Sequence, residues 1–272
     1  MNQGAKTATF WEHLDELRNI LLKIALVAIL SGIIAFIFKD AIFEIVFAPK
    51  NEDFITYRWL ERLGGIFSSE SLEGFSVSLI NTGLAQQFVV HMKTALCFGV
   101  LAASPYIIYQ LFRFVSPALY EDEKKYALQV VGGGYMMFMM GVIIGYLLIF
   151  PLTFRFLGTY QVSDEVVNMI SLDSYMSTLV MICIAMGVVF ELPVVSWLFA
   201  KMGFINSSFM MKYRKQAIVL ILIAAAIITP TSDAFTLLAV SFPMYLLYEA
   251  SIVLVKLTER PAPSSVLCNN PA

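Results

Sequence analysis

The chain has 272 residues, of which 59% are hydrophobic and only 14% are charged. Soluble domains usually contain about 45–50% apolar and about 25% charged residues. This composition argues against a water-soluble enzyme, a disordered chain and a disulfide scaffold. The net charge of −2 also gives no global basic surface for nucleic acid.

Long uncharged runs predict membrane-spanning helices, because about 20 apolar residues cross a bilayer and lipid offers the backbone no hydrogen bonds. The run from Tyr126 to Phe154, for example, contains no charged side chain. We therefore expect an all-α integral membrane protein in which residues 1–257 form one domain. Its external cap covers about residues 39–85, and residues 258–272 form a disordered cytoplasmic tail. The predicted spans lie near residues 20–38, 86–112, 126–152, 174–200, 216–229 and 234–255.

The distribution of lysine and arginine predicts the topology. With both termini in the cytoplasm, twelve of these cations are internal and five are external, while Lys93 lies within the second span. Cytoplasmic loops carry the excess of cations in membrane proteins. The sequence therefore predicts six spans with an N-in/C-in orientation.

The fifth predicted helix is short. Residues 216–229 reach only about 21 Å at 1.5 Å per residue, less than a hydrocarbon core of about 30 Å. Local thinning of the bilayer or oligomerisation accommodates such a mismatch. The alternative is that the helix begins earlier, within residues 210–215.

Ionisable residues at membrane depth suggest where function resides. Glu191 lies inside the fourth predicted span, two residues before Pro193, which favours a kink because it has no backbone N–H. An intramembrane carboxylate normally faces a partner or a water-filled cavity, although a protonated glutamic acid that only packs between helices is the alternative. For Glu249 a structural hydrogen bond or snorkelling is favoured over function. Asp233 is suited to be the N-cap of the sixth helix, with a functional role equally open.

The sequence offers little support for a catalytic or a metal-binding site. Cys97 and Cys183 lie in apolar spans, and the sequence has no CxxC pair or metal-ligand spacing. The two histidines are His13 and His91, and only His91 lies where an intramembrane serine protease would need it. We expect no catalytic residue, metal or cofactor.

Two acidic clusters lie on the predicted cytoplasmic side. Residues 12–18 precede the first span, and residues 120–125 follow the break at Ser116-Pro117 that ends the second. Carboxylates on such a surface can bind guanidinium groups through two hydrogen bonds. Solvated helix ends would give the same pattern, so both interpretations stay open on the residues alone.

At these clusters the sequence resembles the TatC family, the multispanning receptor subunits of the twin-arginine protein translocase. The resemblance covers about residues 10–257 and consists of six collinear motifs. They are HLDELR (His13–Arg18), FAP ending at Pro49, SPYIIYQLFRFVSPALYEDEKK (Ser104–Lys125), GYLLIFPLTFRFL (Gly145–Leu157), GVVFELPV (Gly187–Val194) and PMYLLYE (Pro243–Glu249).

The resemblance assigns roles to particular residues. It implies that Glu16 and Glu123 bind the twin-arginine signal peptide and that Arg18 and Phe114 help to shape this site. Other positions are implied in a partner-binding groove and in the external loop. These are Glu191 and Pro193 in the groove, Thr229 and Asp233 at the outer end of the fifth helix, and Pro49 in the loop.

The resemblance also implies the fold and the setting. Short fifth and sixth helices would form a concave groove, and the protein would lie in the bacterial cytoplasmic membrane. It would assemble with single-span TatA/TatB-type subunits and further copies of itself, and export folded proteins with energy from the proton gradient. A proton-coupled small-solute transporter with Glu191 as proton carrier is the alternative, but it expects an internal repeat that we do not find. A structural membrane scaffold, in which the carboxylates are dispensable, is the third class.

Overall fold

The computed structural model describes residues 10–51, 53–63, 78–115, 127–160, 163, 168–229 and 233–259. A 3-10 turn covers Ala48–Lys50, and a π-helical turn covers Gly145–Ile149. Two short strands, β1 (Leu79–Ile80) and β2 (Ile170–Ser171), pair in parallel with Leu79 opposite Ile170. The helices are α1 (Phe10–Ile37), α2 (Lys39–Phe47), α3 (Ile55–Leu63), α4 (Gln86–Val115), α5 (Ala127–Ile144), α6 (Phe150–Thr159), α7 (Leu172–Phe190), α8 (Leu192–Lys201), α9 (Ser207–Lys212), α10 (Arg214–Ile228) and α11 (Ala234–Thr258).

Five helical segments of the described chain are long and apolar enough to cross a membrane. This confirms the prediction of a helical, multi-pass membrane protein. The third segment joins α5, the π-helical turn and α6, and the fourth joins α7 and α8. The sixth predicted span, α10, is not among the five, so the six-span count stays a prediction. The five segments are Leu14–Ile37, Gln86–Phe114, Val130–Thr159, Leu172–Lys201 and Ala234–Thr258.

The last two helices differ in length. Helix α10 begins at Arg214, so the alternative start within residues 210–215 is confirmed, yet its 15 residues still reach only about 22 Å. Helix α11 has 25 residues and a length of about 37 Å. The expectation that the sixth helix is also short is wrong. The helix continues without a break past Glu249, whose carboxylate pairs with Arg214 at 2.6 Å.

The spans pack in pairs: α1 lies mainly on α4, α5 on α7, and α8 on α11. Small residues permit the closest approaches, as is usual between membrane helices. A Cβ on Gly99 of α4 would lie 2.5 Å from the backbone nitrogen of Gly32 in α1, and one on Gly141 of α5 would lie 2.4 Å from the carbonyl oxygen of Met186 in α7. Backbone therefore meets backbone at both crossings.

The antiparallel arrangement gives the bundle two ends. At the end called here the N-terminal face, the first turns of α1 and the last turns of α4 line one pocket, and Arg214 at the start of α10 meets Glu249 of α11. At the opposite face, Lys93 of α4 and Asp173 of α7 form an ion pair at 2.8 Å. Two short helices, α2 and α3, lie on this opposite face, within the residues where an external cap is expected.

A glycine ends the fourth span at the N-terminal face. Gly203 follows α8 with a φ of +77°, a conformation that residues with a side chain rarely adopt. Its N–H donates to the carbonyl oxygen of Ala200, and the N–H of Phe204 donates to that of Phe199. This is the Schellman pattern, which satisfies the last carbonyls of the helix and turns the chain toward α9.

Candidate functional site

A polar pocket of about 350 Å³ lies between α1 and α4 at the N-terminal face. Positions three, four and seven apart on a helix share one face, so the residues of α1 in this pocket follow from the sequence spacing. Two residues of α4 close the other side. The lining residues are Asp15, Glu16, Asn19, Ile20, Lys23, Gln110 and Arg113.

Glu16 offers this pocket an available carboxylate. Its side chain is exposed, and it forms no ion pair or hydrogen bond with another described residue. The neighbouring Asp15 lies 3.7 Å from the guanidinium of Arg18, with both side chains 71% exposed. Such an exposed pair is weak, but it occupies Asp15 and leaves Glu16 as the acceptor for an incoming cation.

Helix α4 supplies the rigid wall of the pocket. Gln110 is 5% exposed, and its side-chain nitrogen donates a hydrogen bond to the hydroxyl of Tyr106 at 2.5 Å. Phe114 follows one turn later and is half-buried near the end of the helix. Glu123, the second predicted acceptor, lies outside the described residues, as do the neighbouring acids of residues 120–125.

Glu191 marks a break in the fourth span. Helix α7 ends at Phe190 and α8 begins at Leu192, with Pro193 buried in the first turn of α8. Proline has no N–H to continue the α-helical hydrogen bonds, and the break lies where the sequence favours a kink. The break lies about 28 Å along the span from Leu172, the end at the opposite face.

The carboxylate of Glu191 rests against a glycine of α5. Its two oxygens lie 3.3 and 3.5 Å from the position that a Cβ of Gly134 would take. A methyl group of Ile108 in α4 lies 3.3 Å from the same position. One oxygen is buried and, among the described residues, has no hydrogen-bond partner. A buried acceptor without a donor costs free energy, so Glu191 is poised to accept a hydrogen bond from a polar group outside the described chain.

Glu249 has a structural role. It accepts from Arg214 at 2.6 Å and from the hydroxyl of Tyr245 at 3.1 Å. The preferred prediction of a structural hydrogen bond is confirmed, and it explains how a carboxylate is accommodated within α11.

Thr229 and Asp233 flank the turn between α10 and α11 at the opposite face. Thr229 is 5% exposed, and its hydroxyl donates to the carbonyl oxygen of Ala225 at 3.0 Å. Asp233 accepts from the N–H of Thr236 at 2.7 Å, so its prediction as the N-cap of the sixth helix is confirmed. Residues 230–232 between them lie outside the described part.

Pro49 lies in the cap, directly after α2. Because proline has no N–H, the carbonyl of Ile45 lacks the usual α-helical donor four residues later. The hydroxyl of Tyr146 in the third span donates to this carbonyl at 2.6 Å, and that of Tyr175 in α7 donates to the next carbonyl, Val46, at 2.9 Å. Two tyrosines of the bundle therefore hold the end of α2, and one of them donates to the carbonyl that Pro49 leaves without its α-helical donor.

Pro151 mirrors this arrangement in the third span. Its missing N–H frees the carbonyl of Leu147, to which the hydroxyl of Thr56 in the cap donates. The adjacent Tyr57 is 1% exposed, and its hydroxyl lies 3.0 Å from the carbonyl oxygen of Pro49 and 3.2 Å from that of Pro151. Burial raises the pKa of Tyr57 to about 12, although the nearby cation of Arg155 opposes the shift.

Comparison with known protein families identifies the family of this chain. A sequence model of the family described as Sec-independent protein translocase protein (TatC) matches residues 12–243. The chain belongs to the TatC family. It is therefore a subunit of the twin-arginine translocase, with a transport function rather than a catalytic one.

Individual TatC proteins resemble the chain over almost their whole lengths. The protein from Blattabacterium sp. subsp. Periplaneta americana is 35% identical over 248 residues, which are 89% of this chain and 93% of that protein. The protein from Deinococcus radiodurans is 32% identical, with 95% of this chain and 93% of that protein covered. A crystal structure of the twin-arginine translocase receptor TatC has a TM-score of 0.74 and 32% identity, and covers 92% of this chain and 100% of that one.

The residues that the TatC resemblance singled out lie at three levels of the bundle. Glu16, Arg18 and Phe114 lie near the N-terminal face, and Glu191 with Pro193 lies at the helix break. The remaining three, Pro49, Thr229 and Asp233, lie at the opposite face. The structure therefore places them at separate sites. In the described chain no group of three or more histidine, cysteine or acidic side chains is arranged to hold a metal ion.

Sequence reasoning missed several residues of the TatC pocket. Gln110, Asn19, Lys23 and Arg113 line it together with Glu16. The helical spacing of Glu16, Asn19 and Lys23 was sufficient to place the latter two on one face of α1. The contribution of α4 depends on how the two helices cross, which the sequence spacing does not specify.

Proposed function

We propose that the chain is the signal-peptide receptor of its translocase, with Glu16 and Glu123 as acceptors for the two arginines. The observation that carries this proposal is the available carboxylate of Glu16 in the pocket between α1 and α4. Consecutive side chains of an extended peptide point to opposite sides, so two adjacent arginines need acceptors on two sides. Glu16 on α1 and Glu123 after α4 suit that requirement, with Arg18 and Phe114 shaping the surroundings.

Peptide capture by the purified full-length protein tests this site. We expect Glu16→Gln to weaken binding of a twin-arginine peptide about 10- to 100-fold, because a charge-assisted hydrogen bond contributes about 1.5–3 kcal/mol. Glu123→Gln should have a similar effect, and a twin-lysine peptide should bind weakly to the unaltered protein because lysine lacks the planar fork of arginine.

Glu44→Gln is the matched control. Glu44 is an exposed carboxylate of α2, on the opposite face, so its substitution should leave peptide affinity within twofold. Equal affinity of the Glu16→Gln and Glu44→Gln proteins for the peptide would refute the assigned site.

The orientation belongs to the same proposal. The excess of internal cations favours an N-in/C-in chain with the N-terminal face in the cytoplasm of a bacterium. In a background without native cysteines, Asn206→Cys at the N-terminal face should react with an impermeant thiol reagent only from the cytoplasmic side. Asn51→Cys in the cap should react only from outside, and the reverse pattern would contradict the orientation.

For Glu191 we propose contact with a polar group on a single-span TatA/TatB-type partner, within a groove that Pro193 helps to form. Its buried oxygen without a donor among the described residues supports this role. Glu191→Gln should reduce copurification of the partner while twin-arginine peptide affinity is retained. Normal recovery of the partner and normal export in Glu191→Gln would indicate that Glu191 only packs between helices.

The proposal also assigns roles to three residues at the opposite face, which are Thr229, Asp233 and Pro49. The turn from Thr229 to Asp233 is the proposed docking region for single-span subunits, and Pro49 keeps the cap in place for translocation. Export driven by the proton gradient and assembly of several copies are part of the same proposed cycle.

A further inference from the structure

Two cations in the N-terminal-face pocket have no role in arginine recognition. Lys23 of α1 and Arg113 of α4 both line it, both are exposed, and neither pairs with a carboxylate of the described chain. Cations in a pocket repel an incoming guanidinium. Two unpaired cations in one pocket therefore indicate a second ligand, which is an anion.

The depth of Lys23 favours a ligand from the membrane. It lies two helical turns beyond Glu16, about 10 Å farther along α1 toward the opposite face. If Ile37 at the end of α1 lies at one hydrocarbon boundary, a core of about 30 Å places the other boundary between Glu16 and Lys23. Helical side chains point toward the helix N-terminus, so the lysine stem carries its ammonium back to headgroup level.

The surface below Lys23 suits acyl chains. Leu22 is 62% exposed and Leu26, one turn below Lys23, is 61% exposed. Helix α1 is the least buried of the five long apolar segments. Cationic side chains therefore lie directly next to exposed apolar surface. This combination suits a phospholipid, which has an anionic headgroup and acyl chains, and not a soluble anion.

We infer that Lys23 and Arg113 together bind the phosphate of an anionic glycerophospholipid in the leaflet at the N-terminal face. The guanidinium can donate two hydrogen bonds to a phosphate, and the ammonium adds a point charge. Basic pockets between membrane helices on the cytoplasmic side are suited to such headgroups. An acidic peptide side chain is disfavoured, because it would pass Asp15 and Glu16 before reaching Lys23.

A bound phosphate would also affect the neighbouring carboxylate. It offsets the positive field of Lys23 and Arg113, which otherwise opposes the binding of an arginine at Glu16. The lipid and the signal peptide would then bind the same pocket cooperatively.

Lipid binding to the purified full-length protein tests the inference. Native mass spectrometry in detergent measures the lipid concentration that half-occupies the protein, with phosphatidylglycerol as anionic probe and phosphatidylcholine as zwitterionic probe. Each cation near an anionic headgroup contributes about fivefold in affinity. The Lys23→Gln/Arg113→Gln protein should therefore bind phosphatidylglycerol about 25-fold more weakly, with phosphatidylcholine unchanged.

The matched control is Lys215→Gln/Lys256→Gln, which removes the same charge from two exposed cations on α10 and α11 at the same face. It should change half-occupancy less than twofold. Inorganic phosphate at about 10 mM, an ionic strength at which charges are only partly screened, should not displace the lipid if the acyl chains contribute. Displacement by phosphate alone would overturn the assignment to a lipid.

Two further results would overturn the inference. One is an equal loss of phosphatidylglycerol in the pocket variant and in the control variant, which would indicate general surface charge. The other is unchanged lipid binding in the pocket variant together with weaker binding of signal peptides that carry acidic residues, which would assign the two cations to the peptide.

Discussion

The crossing of α1 and α4 at Gly99 gives a sharp test of the packing. In Gly99→Ala, the new Cβ would lie 2.5 Å from the backbone nitrogen and 2.6 Å from the Cα of Gly32, and 2.8 Å from the carbonyl oxygen of Ala28. Ordinary carbon contacts begin near about 3.5 Å. All three neighbours are backbone atoms, which cannot rotate away, so α1 must move by about 1 Å.

The expected cost follows from two opposing terms. Overpacking of this kind costs up to about 3 kcal/mol, while alanine in place of glycine stabilises a helix by about 1 kcal/mol. The net loss is about 2 kcal/mol, equivalent to a fall of about 4–8 °C in the unfolding midpoint for a chain of this size. Since α1 and α4 both line the pocket that contains Glu16, peptide affinity should fall as well.

Thermal unfolding in detergent, followed by tryptophan fluorescence, measures the effect. Gly133→Ala in α5 is the control, because a Cβ there meets nothing within 4 Å. The control should match or exceed the stability of the unaltered protein. If Gly99→Ala unfolds within 1 °C of the control, a precision of about 0.3 kcal/mol on this scale, the close approach is not a fixed feature of the fold.

Three further predictions concern interactions described above. Arg214→Gln should lower stability by about 1–2 kcal/mol, since the Glu249 side chain is only 27% exposed and loses its cation; adding Glu249→Gln should restore most of the loss, and a further fall would contradict the pairing. Tyr57→Phe should cost about 1–3 kcal/mol in thermal unfolding, because the carbonyl oxygens of Pro49 and Pro151 lose the hydroxyl whose single hydrogen they share; an unchanged midpoint would exclude those hydrogen bonds. Hydrogen bonds from Ser207 lower the pKa of Glu259. The contact therefore stabilises the start of α9 fully at pH values above the ordinary glutamate pKa of about 4.3. This stabilisation is lost as the pH falls through the lower pKa of the folded state. The protection factor of the Ser207 amide, which is its exchange rate relative to an unprotected amide at the same pH, should therefore fall in acid in the unaltered protein, and Glu259→Gln should remove that pH dependence.

The sequence predicted the helices because their signals are local. Uncharged runs marked the long helical segments, Asp233 was predicted as a cap, and Pro193 was predicted to kink the fourth span. Each of these signals depends on residues within one or two turns of each other. The motifs also led to the correct family over most of the chain.

Interactions between distant residues were not predictable in the same way. The pairing of Arg214 with Glu249 joins residues 35 positions apart. The contacts of Tyr146 and Tyr175 with the end of α2 join residues more than 100 positions apart. Periodicity identifies a buried face but not the residue that it meets.

The π-helical turn at Gly145–Ile149 sets the phase of the third span. In a regular α-helix, Phe150 would be rotated by about 80° from Val142, because eight residues advance a little more than two turns. A π-helical turn accommodates one extra residue, equivalent to about 100° of rotation, and nearly cancels that offset. Both halves of the span thereby contribute to one core, with Phe138 and Val142 before the turn and Phe150 and Phe154 after it. A regular α-helix over the same number of residues would rotate the second half by about 100° away from this core, whereas deleting one residue together with the π-helical turn would keep both halves in phase.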